Sequence, residues 1–557
     1  IRRSGATSLG DALRLAPNLM VIQGDQNQFV ASARGGLAGL ANKMLVLIDG
    51  RIVYSPLFSG VFSDAQDLVL ADILRIEVIS GPGSTLWGTN AVNGVINIIT
   101  RPASATEGTL AVAYGGDKER GATVRFGAPL GEQGAYRLYA KYAQRDDLAL
   151  ASGASAMDAS ERSQAGFRAD WKGASASSTL QGDVYTANVG NIGGPRDLDG
   201  GNLLGRWRRT LDSGSKLMLQ AYYDRTRRVH EGTFDETLDT FDAEVLHTLR
   251  PLAGHEVSWG GEWRVARDRT RDTPALAFIP RDRTLDTVAL FAQDQLAIAP
   301  TASVTLGVRA EHGPYTGLEW LPNLRLSWNA TPDHLFWAAL TRTVRAPSRL
   351  DRDLAVPGAP PFVIVPNDTF ESEVANVAEL GWRARVTRGA TISLTAFHHD
   401  FRDLRTLEPG VGGLVITNGA SGRVSGLEGW ADWRVTPDWR LVGGFTAMHF
   451  DTSLEPGHVN LSDPPLGNNP RRTALLRSLW NVTPSHDLDL AWRYQGPLDD
   501  SHLPGYAVLD ARLGWRVTPE LDLSLIVRNA LDKEHVEFPG ANAQIGREWL
   551  VRATWSP

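Results

Sequence analysis

The residues whose types and spacing are most specific lie between Ile73 and Arg101 (ILRIEVISGPGSTLWGTNAVNGVINIITR), an apolar stretch that breaks into glycines and resumes. A phosphate-binding loop has that outline. Its chemistry, however, needs a Lys-Ser/Thr pair behind the glycines, and none follows Gly81, Gly83, Gly88 or Gly94. The glycines therefore serve the backbone, giving freedom where the chain must turn, and Pro82 fixes one dihedral. Other chemistries are missing too. Ser, His and Asp occur, but there is no Gly-x-Ser-x-Gly elbow and no metalloprotease helix motif. His398 and His399 are neighbours in what reads as a strand, so they face opposite ways and cannot share one ion. With no cysteine there is no thiol nucleophile, thiolate site or disulfide. These residue types point to binding rather than catalysis.

Two unequal parts must position them. Residues 1–105 read as a compact mixed unit. Ser8 to Leu15 has helical spacing with Ser8 as N-cap and Pro17-Asn18 as the stop. Short strands follow at Met20–Gln23, Met44–Asp49, Arg75–Ser80 and Gly94–Thr100, and Asp49-Gly50 signals a hairpin returning through Arg51–Tyr54. From 106 to 557 the texture changes to a succession of strands with period-2 alternation. Ala507, Leu509, Ala511, Leu513, Trp515 and Val517 share one face, with Asp510, Arg512 and Arg516 on the other.

Alternation alone would also suit a soluble sandwich. The connections decide. Short turns at Thr331-Pro332-Asp333, Thr387-Arg388-Gly389, Thr436-Pro437-Asp438, Thr483-Pro484-Ser485 and Thr518-Pro519-Glu520 alternate with long segments at Thr343–Phe370, Arg402–Ala420, Asp451–Asn469 and Leu531–Ile545. Short turns on one rim and long loops on the other are the build of a transmembrane β-barrel. About 22 strands fit between Gly108 and Trp555, and 16 of the 17 tryptophans lie there, many near strand ends as an interfacial girdle requires. No apolar run approaches the ~20 residues of a membrane helix. The irregular spacing of the Thr-Pro turns argues against a propeller. The net charge of −7 argues against a nucleic-acid partner, and the excess of 50 Arg over 6 Lys is most simply a matter of genomic base composition.

The Ile73–Arg101 run resembles the plug signature of TonB-dependent outer-membrane receptors, in which a strand leads into Arg-Gly-Pro, Leu-Tyr-Gly and Gly-Gly-Val-Ile-Asn elements. Ala33-Arg34-Gly35-Gly36 and Val46–Arg51 (VLIDGR) are similar to the same pattern. So are Asn323–Arg349, Glu379-Leu380-Gly381, Gly426-Leu427-Glu428 and Val527–Lys533 (VRNALDK) in the barrel half. The resemblance implies an all-β transmembrane 22-stranded antiparallel barrel (106–557) with a small N-terminal α+β plug (1–105) inside its lumen. It implies a monomer in the bacterial outer membrane among its lipids, and not an enzyme. It further implies a ferric siderophore as the cargo, with the iron carried by the ligand and no cofactor or metal site in the protein. Vitamin B12, haem or an oligosaccharide are alternative cargoes, and a signalling receptor or adhesin is the non-transporting alternative. No histidine lies between Arg345 and Glu371, where haem receptors of the family place a ligating one. No signal peptide is visible, and the segment that would engage the TonB complex is expected ahead of Ile1.

By alternation Glu379 and Glu428 point into the lumen, and the resemblance makes them partners of plug arginines, here Arg34, in a plug–barrel lock. Ser80 stands where a second arginine normally precedes Gly-Pro, which leaves Arg75 as a substitute base. Ligand contacts are expected at plug apices: Gln23–Phe29, Leu37–Asn42 and Tyr54–Phe62. There Gln26, Asn27 and Gln28 offer hydrogen-bonding groups, and Phe29, Tyr54 and Phe58 offer flat apolar surface, a mix that suits a polar chelate with an aromatic or peptidic frame.

Overall fold

Twenty-two antiparallel strands close into one barrel, from Gly108–Gly116 to Glu548–Trp555, whose first and last strands pair. The structure is a computed structural model and describes residues 1–36, 42–191, 193–531, 534–538 and 543–557. Side chains alternate across the wall as the period-2 pattern requires. Leu290, Leu380 and Val184 are each more than 60% exposed on the outside. Arg125, Lys141, Arg309 and Glu379 on the inside are buried against the plug. Exposed Trp171, Trp328, Trp433, Trp480 and Trp515 stand near the short-turn rim. Among the described residues no helix is long and apolar enough to cross a membrane.

The Thr-Pro turns all lie on one rim, with connections as short as 332–333, 388–389 and 437–438; the opposite rim carries 146–159, 346–372, 455–471 and 529–547. Arg402–Ala420, expected as a long loop, is a correction. The strands Ala390–Gly410 and Gly413–Thr436 run on past the wall as one hairpin that turns at 411–412. Alternation persists there, with Leu404 and Thr406 fully buried, and the glycines at 410, 412 and 413 mark the real tip.

Inside the barrel, α1 (Leu9–Leu13) starts on a capping box between Ser8 and Asp11. A hairpin of β1 (Met20–Gln23) and β2 (Phe29–Ser32) follows, and β2 falls within and beyond the segment read as a turn. The central sheet has the order β4-β3-β6-β5, from β3 (Met44–Ile48), β4 (Arg51–Ile52), β5 (Ile73–Ser80) and β6 (Gly94–Thr100), with β3 and β6 parallel. Its core is aliphatic: Leu9, Leu13, Val21, Met44, Val46, Ile48, Ile96 and Ile98 pack together. A short helix α2 (Ser84–Trp87) sits between β5 and β6.

Two short ladders join loops across the long-loop rim above the plug. Ala149–Leu150 pairs with Ala543–Gln544, and Ala277–Phe278 pairs with Leu354–Ala355.

Candidate functional site

Arg34 is the point where plug and barrel meet most intimately. It follows β2 in a left-handed turn (φ 53°, continued by Gly35 at 95° and Gly36 at 75°) that throws its side chain out of the plug toward the wall. One guanidinium serves two strands. Its Nη1 donates to Glu379 Oε1 at 2.5 Å, Nη2 to Glu428 Oε1 at 2.6 Å and Nε to Glu428 Oε2 at 3.2 Å. The ring of Phe397 lies 4.5 Å from Cζ, and all three charged side chains are at most 8% exposed. The planar guanidinium holds Glu428 in a two-pronged grip through Nε and Nη2 while Nη1 remains free for Glu379, a fixed geometry that an ammonium does not offer. Arg34 thus contacts both acids with Ser80 in the position of a second arginine. Arg75 does not substitute: it is half exposed and pairs with Glu77 within β5.

The geometry also explains the glycine run. At Gly81 (φ +90°) a Cβ would lie 2.5 Å from Glu379 Oε1 and 2.7 Å from Arg34 Nη1. At Gly88 (φ +82°) it would lie 2.5 Å from Glu311 Oε2. The backbone is bare where barrel carboxylates press against it. Asn93 ties the turn together: its Nδ2 donates to Gly35 O at 2.8 Å, and its carbonyl accepts from Gly81 N at 2.8 Å.

Charge continues around the plug. Lys43 reaches Glu373 (2.7 Å), which Arg345 also contacts (2.8 Å); burial holds the Lys43 ammonium below its ordinary value despite that partner. Asp64 meets Arg228 and Arg196, Asp67 meets Lys141 (2.6 Å), and Asp72 meets Arg125 (2.6 Å). Burial pushes the Asp64 carboxyl up, but Arg228, Arg196 and Arg162 together bring it below the usual carboxylate range.

The expected apices lie at the long-loop end but are covered rather than bare. Gln26 and Asn27 are buried. The Gln26 amide donates to Asp158 Oδ2 (2.8 Å), Asn27 Nδ2 donates to Asp158 O (2.8 Å), and Asn27 Oδ1 accepts from Ser160 (2.6 Å). Gln28 is half-buried and reaches Asp64 (3.4 Å), while the Phe29 ring lies over Gly10 with the Arg14 guanidinium 5.6 Å away. Tyr54 donates to Asn42 O (3.2 Å). Phe58 is buried with Leu57 and Phe278 and meets Phe62 edge-on at 4.4 Å. Of the third apex, Leu37–Ala41 lie outside the described residues. Asn42 borders a cavity of about 190 Å3 with Lys43, Arg405 and Leu466. No group of three or more acidic, His or Cys side chains suited to a metal occurs among the described residues.

Residues 103–530 match the TonB dependent receptor-like β-barrel family, and residues 1–95 match the TonB-dependent receptor plug domain. The chain is a TonB-dependent receptor. It is an outer-membrane protein, and its long-loop rim is the outer one. The receptor is 25% identical to the ferric enterobactin receptor of Pseudomonas aeruginosa, over 86% of this chain and 78% of that protein. It is equally identical to the iron-regulated outer membrane virulence protein of Vibrio cholerae, over 94% and 86%. A solved variant of the P. aeruginosa ferric enterobactin receptor in complex with enterobactin superposes with a TM-score of 0.82 at 18% identity, covering 100% of this chain and 98% of that one. The copper transporter OprC gives 0.81 at 15%, covering 99% and 96%, so the fold by itself does not choose a cargo.

Several residues of the site carry no local signal in the sequence. Asp158, Glu311 and Glu373 are ordinary acids in ordinary contexts, and only the closed barrel brings them to the plug, as it brings Arg196 and Arg228 to the plug's Asp64. Glu537 is similar. It lies in loop 529–547, is 1% exposed, and accepts from Arg14 Nη2 (2.6 Å) and from the Gln23 amide (2.8 Å). Gly81 and Gly88 did carry a signal, since spare glycines beside a strand mark a close approach.

Proposed function

We propose that the receptor binds and actively imports a ferric siderophore of the catecholate type. Support for the ligand comes from relatives named for ferric enterobactin that align over most of the chain. Support for active transport comes from the Arg34–Glu379–Glu428 junction, the single observation that carries this reading. A lumen filled by a plug held through buried ion pairs is no diffusion pore, and breaking such pairs to clear it requires work. In this reading residues 1–105 are the gate and 106–557 the conduit. The TonB complex supplies the work, the iron stays ligated by the siderophore, and the receptor acts as a monomer among outer-membrane lipids. Arg34, Glu379 and Glu428 act as the lock. Gln26, Asn27, Gln28, Phe29 and Tyr54 act as ligand contacts once their covering loops part, and Phe58 backs them from the apolar cluster beneath the Ala277–Phe278 ladder.

Tryptophan quenching of the purified receptor by ferric enterobactin, cyanocobalamin and maltooligosaccharides tests the cargo. Saturable quenching by the ferric catecholate alone is the expected result. Saturation by cyanocobalamin instead would replace the reading with cobalamin uptake.

A further inference from the structure

The cavities that border the plug hairpin measure about 130 and 70 Å3, whereas a site for a drug-sized ligand occupies roughly 300–1,000 Å3. A siderophore can reach Gln26–Phe29 only if something above that hairpin moves. Two inter-loop ladders stand over the plug, and they are held by different forces.

The ladder of Ala277–Phe278 with Leu354–Ala355 sits on Phe58, Leu57, Phe62, Phe234, Leu350 and Leu354, one continuous apolar cluster. Beside it Arg349 is fully buried and binds Asp268 (3.0 Å), Asp353 (2.9 Å) and the carbonyls of Pro280 and Arg281. The amides of Arg349 and Leu350 donate to Pro56 O (3.1 Å) and Leu57 O (2.7 Å) of the plug. Opening it would expose several buried aromatic side chains to water.

The ladder of Ala149–Leu150 with Ala543–Gln544 rests on a smaller patch: Leu148, Leu150, Ala156 and Ala543. Its grip on the plug is mainly polar, with Phe538 packed on Met20, Ile22 and Val30. Asp158 accepts from the Gln26 amide on the plug side and from Leu148 N (2.8 Å) on the loop side, and no cation pairs with it among the described residues. Glu537 holds the base of the same hairpin through Gln23 N and Arg14. Water can replace such hydrogen bonds at small net cost, which it cannot do for buried aromatic surface.

We propose that the Ala149–Leu150/Ala543–Gln544 ladder is the ligand's entry gate, that Asp158 and Glu537 are the latches tying it to hairpin β1–β2, and that the other ladder is a fixed strut. The proposal rests on the siderophore reading for what enters, but not for which ladder opens. Antiparallel partners are close enough for a disulfide, and the chain has no cysteine of its own. Leu150→Cys with Ala543→Cys would clamp the gate; Phe278→Cys with Leu354→Cys would clamp the strut.

Oxidising the gate pair is expected to slow ferric enterobactin association by at least about tenfold, with recovery on reduction, and oxidising the strut pair to leave it unchanged. Association at the wild-type rate through an oxidised gate, or a block by the strut pair, would overturn the proposal. Amide exchange of peptide 23–29 gives a readout without ligand. It should fall at least about tenfold when the gate is clamped and stay constant when the strut is clamped. Unchanged exchange with a clamped gate refutes the gate whatever the cargo, whereas absence of ferric enterobactin binding in the reduced proteins refutes the siderophore reading alone.

Discussion

The plug's interior and its contact with the wall are built from opposite materials. The interior is aliphatic, with Ile96 and Ile98 wholly buried among Leu, Val and Met side chains. The contact is largely ionic, with Arg34, Lys43, Asp64, Asp67 and Asp72 each facing an opposite charge on the barrel, beside apolar seams at Val92 and at Leu57 and Phe58. An apolar core makes the plug a folded unit in its own right. An ionic surface makes it a guest, because charges taken from each other can be given to water. Such a plug can be dislodged without being dissolved, and an energy-coupled gate needs that property.

Arg34→Ala should break the comparison hardest. It strands two buried carboxylates, a loss of about 3–5 kcal/mol at the junction. The plug should loosen while remaining folded, seen as raised leak conductance in planar bilayers with an unaltered far-ultraviolet spectrum. A tight, non-leaking channel would mean that the remaining pairs suffice. Ile96→Ala attacks the other material. Removing a fully buried side chain from the sheet should cost about 2–5 kcal/mol. The plug should become protease-sensitive while the barrel keeps its resistance to detergent and heat. Concerted loss of both would show that they fold as one unit.

Gly81→Ala tests the seam between the materials. Its Cβ has no room beside Glu379 and Arg34, so a penalty of roughly 1–3 kcal/mol should appear as partial leak, below that of Arg34→Ala.

The smallest effect is one of pH at the two latches. Glu537 is pushed up by burial but brought down to about 2 by Arg14 and His535. Its contribution is present above the ordinary carboxylate range and lost only as the pH falls toward about 2. Asp158 is shifted the other way: burial, with Asp25 and Asp147 nearby, raises its carboxyl. The latched form then binds a proton more tightly than the open form, so latching strengthens as the pH falls from neutral into the acid range. Amide exchange of peptide 23–29, corrected for intrinsic rate, should slow in the native receptor as the pH is lowered from neutral through the ordinary carboxylate range, about pH 4, and not in Asp158→Asn. Acceleration on acidification would reverse the sign.

Much of this was legible in the amino-acid order, for physical reasons. A barrel strand writes its two environments into alternate residues, so Glu379 beside Leu380 and Glu428 beside Leu427 declared which way they point. Turn residues mark rims, and Thr-Pro turns marked the inner one. Arg34 and its glycines stood out by their likeness to the plug pattern, and the left-handed turn that Gly35 and Gly36 continue gives the physical reason for the glycines. What stayed hidden depends on closure of the barrel. Lys43 and Glu373, Arg14 and Glu537, and Asn27 and Asp158 are far apart in the chain, and no periodicity relates them. The hairpin at 402–420 was hidden by its length, since strands seldom run so far beyond a wall. The burial of Gln26 and Asn27 was hidden because a polar turn looks the same whether water or a loop covers it.

The account stands most directly on uptake. Cells lacking their own catecholate receptors, and carrying this receptor in the outer membrane, would be given radioiron as ferric enterobactin, with and without a functional TonB complex. The expected result is saturable accumulation that disappears when TonB is removed. Accumulation that persists without TonB, or cells that take up no iron while the receptor is present in the outer membrane, would contradict it.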